Sequence, residues 1–196
     1  MGKIFYIMGK SASGKDSLYK WLLTREELGL QRIILYTTRP VRNGEEQGRE
    51  YYFVDEGRFH QFEQEHKVIE CRSYQTVHGI WTYFTADDGQ IDLGHHDYLG
   101  IGTLESFGKM KEYFGENNVY PIYVEVEDGE RLARALKREK KQTNPKYAEM
   151  CRRFLADCVD FSEEKLKEAG VEQRFMNDDR EACFGEIESY IKSMLY

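Results

Sequence analysis

The feature that most constrains this chain lies near its start. Gly9-Lys10-Ser11-Ala12-Ser13-Gly14-Lys15-Asp16 stands between an apolar run, Ile4 to Met8, and a stretch where Leu18, Trp21 and Leu22 recur at helical spacing. Strand, glycine turn and helix in that order form a backbone grip for phosphate. Glycines let the chain curl so that successive N–H groups converge on one anion. The helix that follows adds the positive end of its dipole, and Lys15 adds a mobile full charge. The octet nearly fits G-x-x-x-x-G-K-[ST]. Gly9, Ser11, Ala12, Ser13, Gly14 and Lys15 are therefore the expected cradle of a nucleoside triphosphate. The flaw is Asp16, where a hydroxyl residue normally meets magnesium. Asp16 and Ser17 become the candidate metal contacts, and an acid in a first helical turn also suits the dipole.

The rest of the chain bounds the setting. Its 196 residues suit one compact core with room for an insertion. Net charge is −7, which argues against broad nucleic-acid binding, so cations for an anionic ligand must be concentrated locally. The apolar run near the start is too short to cross a bilayer, and no charged-then-apolar leader precedes it. The expectation is a cytoplasmic protein without a membrane partner, monomeric or homodimeric. Cys71, Cys151, Cys158 and Cys183 form no C-x-x-C pair and read as reduced thiols. His95-His96-Asp97 reads as a solvated turn, because adjacent histidines on extended chain face opposite ways.

Patterning predicts strands at 3–8, 33–38, 51–54, 68–74, 79–85, 97–102, 120–126 and 174–176. Asp55 is expected to cap a short helix carrying Phe59 and Phe62, and Thr103 one running to about Phe114. Helices are expected at 128–142 and 146–168, the latter with Cys151, Phe154, Leu155 and Cys158 on one core-facing side, and at the end of the chain to about Leu195. Alternating strands and helices imply an α/β fold, a parallel sheet covered on both faces. The strand-rich stretch 36–85 interrupts that alternation. The expected division is a core of 1–35 and 86–196, with a lid at about 137–152, and an inserted acceptor-binding unit of 36–85.

The most informative stretch runs from Thr37 to Val54. Arg39 and Arg42 leave a strand end, Gly44 and Gly48 let the loop fold back, and Tyr51 follows. Guanidinium groups grip phosphate through paired N–H bonds, and a tyrosine hydroxyl completes such a cage. Here the sequence resembles the guanylate kinase family. Thr37, Thr38, Arg39, Arg42, Glu45, Gly48, Tyr51 and Phe53 stand in register with that family's T-[ST]-R, basic, acidic, G-x-x-Y-x-F signature. The resemblance extends over essentially the whole chain and implies a P-loop NTPase three-layer fold, with a mixed β-rich insertion and a helical lid.

The resemblance also implies transfer of a phosphoryl group from ATP to GMP with Mg2+ as cofactor. Thr38, Arg39, Arg42 and Tyr51 would hold GMP. Glu70 would accept from guanine N1 and N2, and Trp81 and Tyr83 are the candidates to stack on the base. Asn177 would sit beside adenine. Lys15, Arg42, Arg138 and Arg153 would carry the transferring phosphoryl group.

Three departures stand out. Gly100 and Gly102 occupy the positions of the family's D-x-D acids. Its Y-G-[ST] segment reads Trp81-Thr82-Tyr83-Phe84-Thr85, and the lid is rich in lysine instead of glycine. Gly-Lys-Asp-Ser at the loop and the missing acid pair are shared with a sister branch, the ribose 1,5-bisphosphate phosphokinases. The intact arginine–tyrosine signature favours GMP over that alternative. A non-catalytic guanylate-kinase-like module that binds peptides is the third reading, and Gly9, Gly14 and Lys15 speak against it.

Overall fold

The computed structural model describes residues 1–76 and 79–195. Five parallel strands form the main sheet: β1 (Ile4–Met8), β2 (Gln31–Arg32), β7 (Tyr98–Gly102), β8 (Val119–Glu125) and β9 (Arg174–Met176). Their spatial order is β2-β7-β1-β8-β9. All five residues of β1 are buried, as a central strand covered on both faces requires. One layer packs Phe5, Ile7, Leu99, Ile122 and Phe175 against α1 (Lys15–Leu22) and α7 (Arg180–Leu195). The other packs Ile4, Tyr6, Tyr98 and Tyr123 against α3 (Leu104–Phe114). Thr103 caps α3 as expected: its hydroxyl accepts from Ser106 N–H while Ser106 Oγ accepts from Thr103 N–H.

A second sheet holds β3 (Tyr36–Thr37), β4 (Tyr52–Phe53), β5 (Val68–Thr76) and β6 (Gly79–Ala86), ordered β4-β3-β6-β5. It has its own small core. Tyr36, Phe59, Phe62, Phe84 and Ala86 bury one another under α2 (Glu56–Gln64), which Asp55 caps through Arg58 N–H. The three remaining helices are α4 (Asp128–Glu139), α5 (Tyr147–Asp160) and α6 (Glu163–Glu168). No helix of the described residues is long and apolar enough to cross a membrane.

Three expectations need correction. The apolar run 33–38 is not one strand. Its start belongs to the main sheet, where Ile33 N–H donates to Leu99 O, and its end is β3 in the second sheet. β-branched composition reports extended chain but not which sheet it joins. The helix drawn over 146–168 breaks at Phe161 and Ser162. Phe161 is buried, stacked 5.7 Å from Tyr123, and Ser162 turns extended to cap α6. Finally, α5 buries no residue, so its predicted core face is absent. Cys151 is exposed, Leu155 is 66% exposed, and Phe154 packs under Arg131, whose Cζ lies 3.8 Å from the ring centroid. A cation hydrogen-bonded to Asp128, Asp157 and Cys158 can occupy an interior position that periodicity assigns to hydrocarbon.

Candidate active site

The loop between β1 and α1 curls through two left-handed residues, Ala12 at φ 66° and Gly14 at φ 93°. A side chain at Gly14 would also be obstructed, since its Cβ would lie 2.4 Å from Asn177 Nδ2. Asn177, at the end of β9, is buried and donates from Nδ2 to Ser13 O at 2.7 Å. Its amide therefore braces the loop from behind. Ser13 is buried too, and its Oγ has no partner among the described residues. Lys15 is largely covered and lies 3.7 Å from Asp16 Oδ2. Asp16 and Ser17 are exposed in the first turn of α1.

Helix α5 touches this loop directly. Arg153 donates to Ser11 Oγ at 3.0 Å, and Asp157 Oδ2 accepts from Ser11 N–H at 2.7 Å. Asp157 also pairs with Arg131, a fully buried guanidinium that bonds Asp128 as well. Neither Arg131 nor Asp157 was marked by the sequence reading. Both look like ordinary helix-surface charges until the tertiary fold folds them inward.

The face expected to bind the acceptor is built from side chains. Thr38 pins β3 to β6, its N–H donating to Thr82 O and its Oγ1 accepting from Thr82 N–H, each at 2.9 Å. Arg39 is 3% exposed and forms two parallel bonds to Glu45, both 2.7 Å. That pairing holds the Glu45 carboxyl at a pKa of about 2, well below the usual range. The Arg39 guanidinium lies 5.0 Å from the Tyr51 ring centroid and 5.3 Å from Phe53. Tyr51 in turn meets Tyr83 edge-on at 5.6 Å, and Arg42 sits 5.8 Å from Trp81. On the same face Glu70 is buried, its Oε1 accepting from Thr85 Oγ1 at 2.9 Å. Burial raises the Glu70 carboxyl, with the nearby Arg72 guanidinium opposing.

These parts converge. One cleft of about 460 Å³ is lined by Ser11 of the phosphate loop, Arg42 of the acceptor loop, Arg138 of α4 and Arg153 of α5. Ser11 of the loop and Arg42, Arg138 and Arg153 thus face a common space, with Arg131 on its wall. Trp81 and Tyr83 stay on the acceptor face, and Asn177 stands behind the loop.

Comparison with known proteins finds one recurrent likeness. The guanylate kinase family model matches residues 1–89. A guanylate kinase of Porphyromonas gingivalis is 27% identical over 198 residues, covering 100% of this chain and 99% of its own. One of Fusobacterium nucleatum is 29% identical over 139 residues, covering 70% and 71%. Over these stretches the chain is similar to guanylate kinases. A guanylate kinase of Bordetella pertussis is 38% identical over a shorter stretch, 117 residues, which is 59% of this chain and 52% of that one. Among solved structures, the guanylate kinase of Anaplasma phagocytophilum superposes with a TM-score of 0.64 at 19% identity, over 98% of this chain and 86% of its own. At that identity the superposition speaks to the fold alone.

Proposed function

We propose that this protein transfers the terminal phosphoryl group of ATP to GMP, giving ADP and GDP. The observation that supports the reading is the common cleft, lined by Ser11, Arg42, Arg138 and Arg153. ATP takes the loop of Gly9, Ser11, Ala12, Ser13, Gly14 and Lys15, with Asn177 as its buttress. GMP takes the acceptor unit, 36–85, its phosphate on Arg39, Arg42 and Tyr51 and its base edge on Glu70. Residues 1–35 and 86–196 form the core, with the lid at about 137–152.

The acceptor is a phosphate oxygen, already ionised at neutral pH, so no side chain need act as general base. The work is positioning and neutralisation of charge. Lys15 meets the β- and γ-phosphates, while Arg42, Arg138 and Arg153 surround the group in transit. Closure of the cleft excludes water, which would otherwise hydrolyse ATP. Asp16 and Ser17 supply one carboxylate and one hydroxyl, a set that suits a Mg2+ held mainly by substrate phosphates and water. Bound there, the ion would neutralise phosphate charge.

A coupled ADP-release assay across GMP, dGMP, AMP, UMP, CMP and ribose 1,5-bisphosphate tests the reading. Turnover should be highest with GMP. Preference for ribose 1,5-bisphosphate would reassign the acceptor, and no turnover with any acceptor would remove the enzyme reading.

A further inference from the structure

The acceptor face carries a second charged group beside Glu70. Strands β5 and β6 pair in a register that sets Glu70 opposite Thr85, Arg72 opposite Tyr83 and Tyr74 opposite Trp81. These six share one face, because alternate residues of a strand point the same way. Arg42 marks the Trp81 end of the face and Glu70 the other. Arg72 stands between them with its side chain only 14% exposed, and its Nε lies 3.2 Å from Glu70 Oε2. Neither of those two atoms has a well-formed hydrogen bond among the described residues. A buried donor and a buried acceptor left incomplete side by side are a feature that folding alone disfavours.

The main sheet limits which acids can stand near this face. A Cβ on Gly102 would lie 2.2 Å from Tyr6 Oη and 2.4 Å from Ser106 Oγ, and one on Gly100 would lie 2.6 Å from the Tyr6 ring. Tyr6 donates to Ser106 Oγ at 2.8 Å, and this buried pair fills the space that acidic side chains at 100 and 102 would need. Glu70 is then the one buried carboxylate of this face among the described residues. A guanine edge offers two donors, N1–H and N2–H, beside one acceptor, O6. Glu70 with Arg72 is the complement of that edge: an acceptor beside a donor.

We propose that Arg72 is a specificity-determining residue of the acceptor site, its guanidinium donating to purine O6 while Glu70 accepts from N1 and N2. The assignment rests on GMP being the acceptor. It works in two directions. A 6-oxo purine completes both buried groups, whereas adenine would set its exocyclic amine, a donor, against the guanidinium.

The test compares GMP with 6-thioguanosine 5′-monophosphate, whose sulfur is a poor acceptor, in wild type, Arg72→Met and Arg72→Lys. Wild type should prefer GMP. Arg72→Met should raise KM for GMP roughly 10- to 100-fold, the range of a hydrogen bond from a charged donor. It should bring the GMP to thio-GMP ratio close to one and leave KM for ATP unchanged. Arg72→Lys keeps the charge but not the fork, and its ratio should fall in between. A wild-type ratio in Arg72→Met overturns the proposal. If Arg72→Met does not fold, a wild-type ratio in Arg72→Lys does the same. Wild type with no GMP turnover overturns the acceptor reading itself and this inference with it, whereas GMP turnover with unaltered ratios removes the inference alone.

Discussion

In the proposed function, the loop after β1 offers backbone to its ligand, and the face of the second sheet offers side chains. In the loop, Ala12 and Gly14 take left-handed conformations and Asn177 holds the curl from behind. On the acceptor face, Arg39 is clipped by Glu45, flanked by Tyr51 and Phe53, and carried by a small sheet with its own core. A backbone site is specified by a few conformational requirements, so a short motif describes it. A side-chain site depends on which residues the sheet register brings together, and much of it is written far apart in the chain. Under the proposed function, the first kind would recognise phosphate as such, and the second would tell one acceptor from another.

Substitutions can break this comparison. The largest effect should come from Lys15→Ala, which removes the only full charge of the loop expected on the transferring phosphates. We expect kcat to fall roughly 10²- to 10³-fold, the scale of losing one transition-state donor, in an ADP-release assay with the melting temperature held as a control. Wild-type turnover would end the assigned mechanism. Next is Arg39→Ala, which should raise KM for GMP roughly 10- to 100-fold while KM for ATP holds. Equal loss for both substrates would show that the two sites are not separable. Asn177→Ala should act on stability, costing about 1–2 kcal/mol by leaving the Ser13 carbonyl without its buried donor. Thermal denaturation reads this, and an unchanged melting temperature would remove Asn177 as the brace.

The last effect is confined to acid. The Glu45 carboxyl has a folded pKa of about 2 against an ordinary 4.5. Its contribution is therefore complete above about 4.5 and is lost as pH falls through 2. Wild type should lose more stability across that window than Glu45→Gln. Parallel pH profiles would mean the clip on Arg39 carries no such linkage.

The same contrast explains what could be read in advance. The strand–loop–helix opening and the cap at Thr103 were legible because local chemistry decides them. The Arg39–Tyr51 signature was legible because its members lie close in the chain. The run at 33–38 was misread because it serves two sheets, and composition does not record the crossing. The break at Phe161 depended on Tyr123, a residue far off in sequence. The core face assigned to α5 failed because Arg131 and Asp157 take the interior contacts instead. Arg72, proposed above to read the base, carries a usable sequence signal, since it follows Glu70 at strand period two. Tyr6 was not legible as a partner of Gly102, because only the pairing of β1 with β7 sets them together.

The central claim is that two anionic ligands meet end to end, one in the glycine loop and one under Arg39 and Arg42. Calorimetry with adenosine and guanosine joined 5′ to 5′ by five phosphates tests it most directly. The account predicts one tight site per chain, stronger than ATP or GMP alone, abolished by either mononucleotide in excess and weakened by both Lys15→Ala and Arg39→Ala. Binding no stronger than ATP alone, or indifferent to Arg39→Ala, would contradict it.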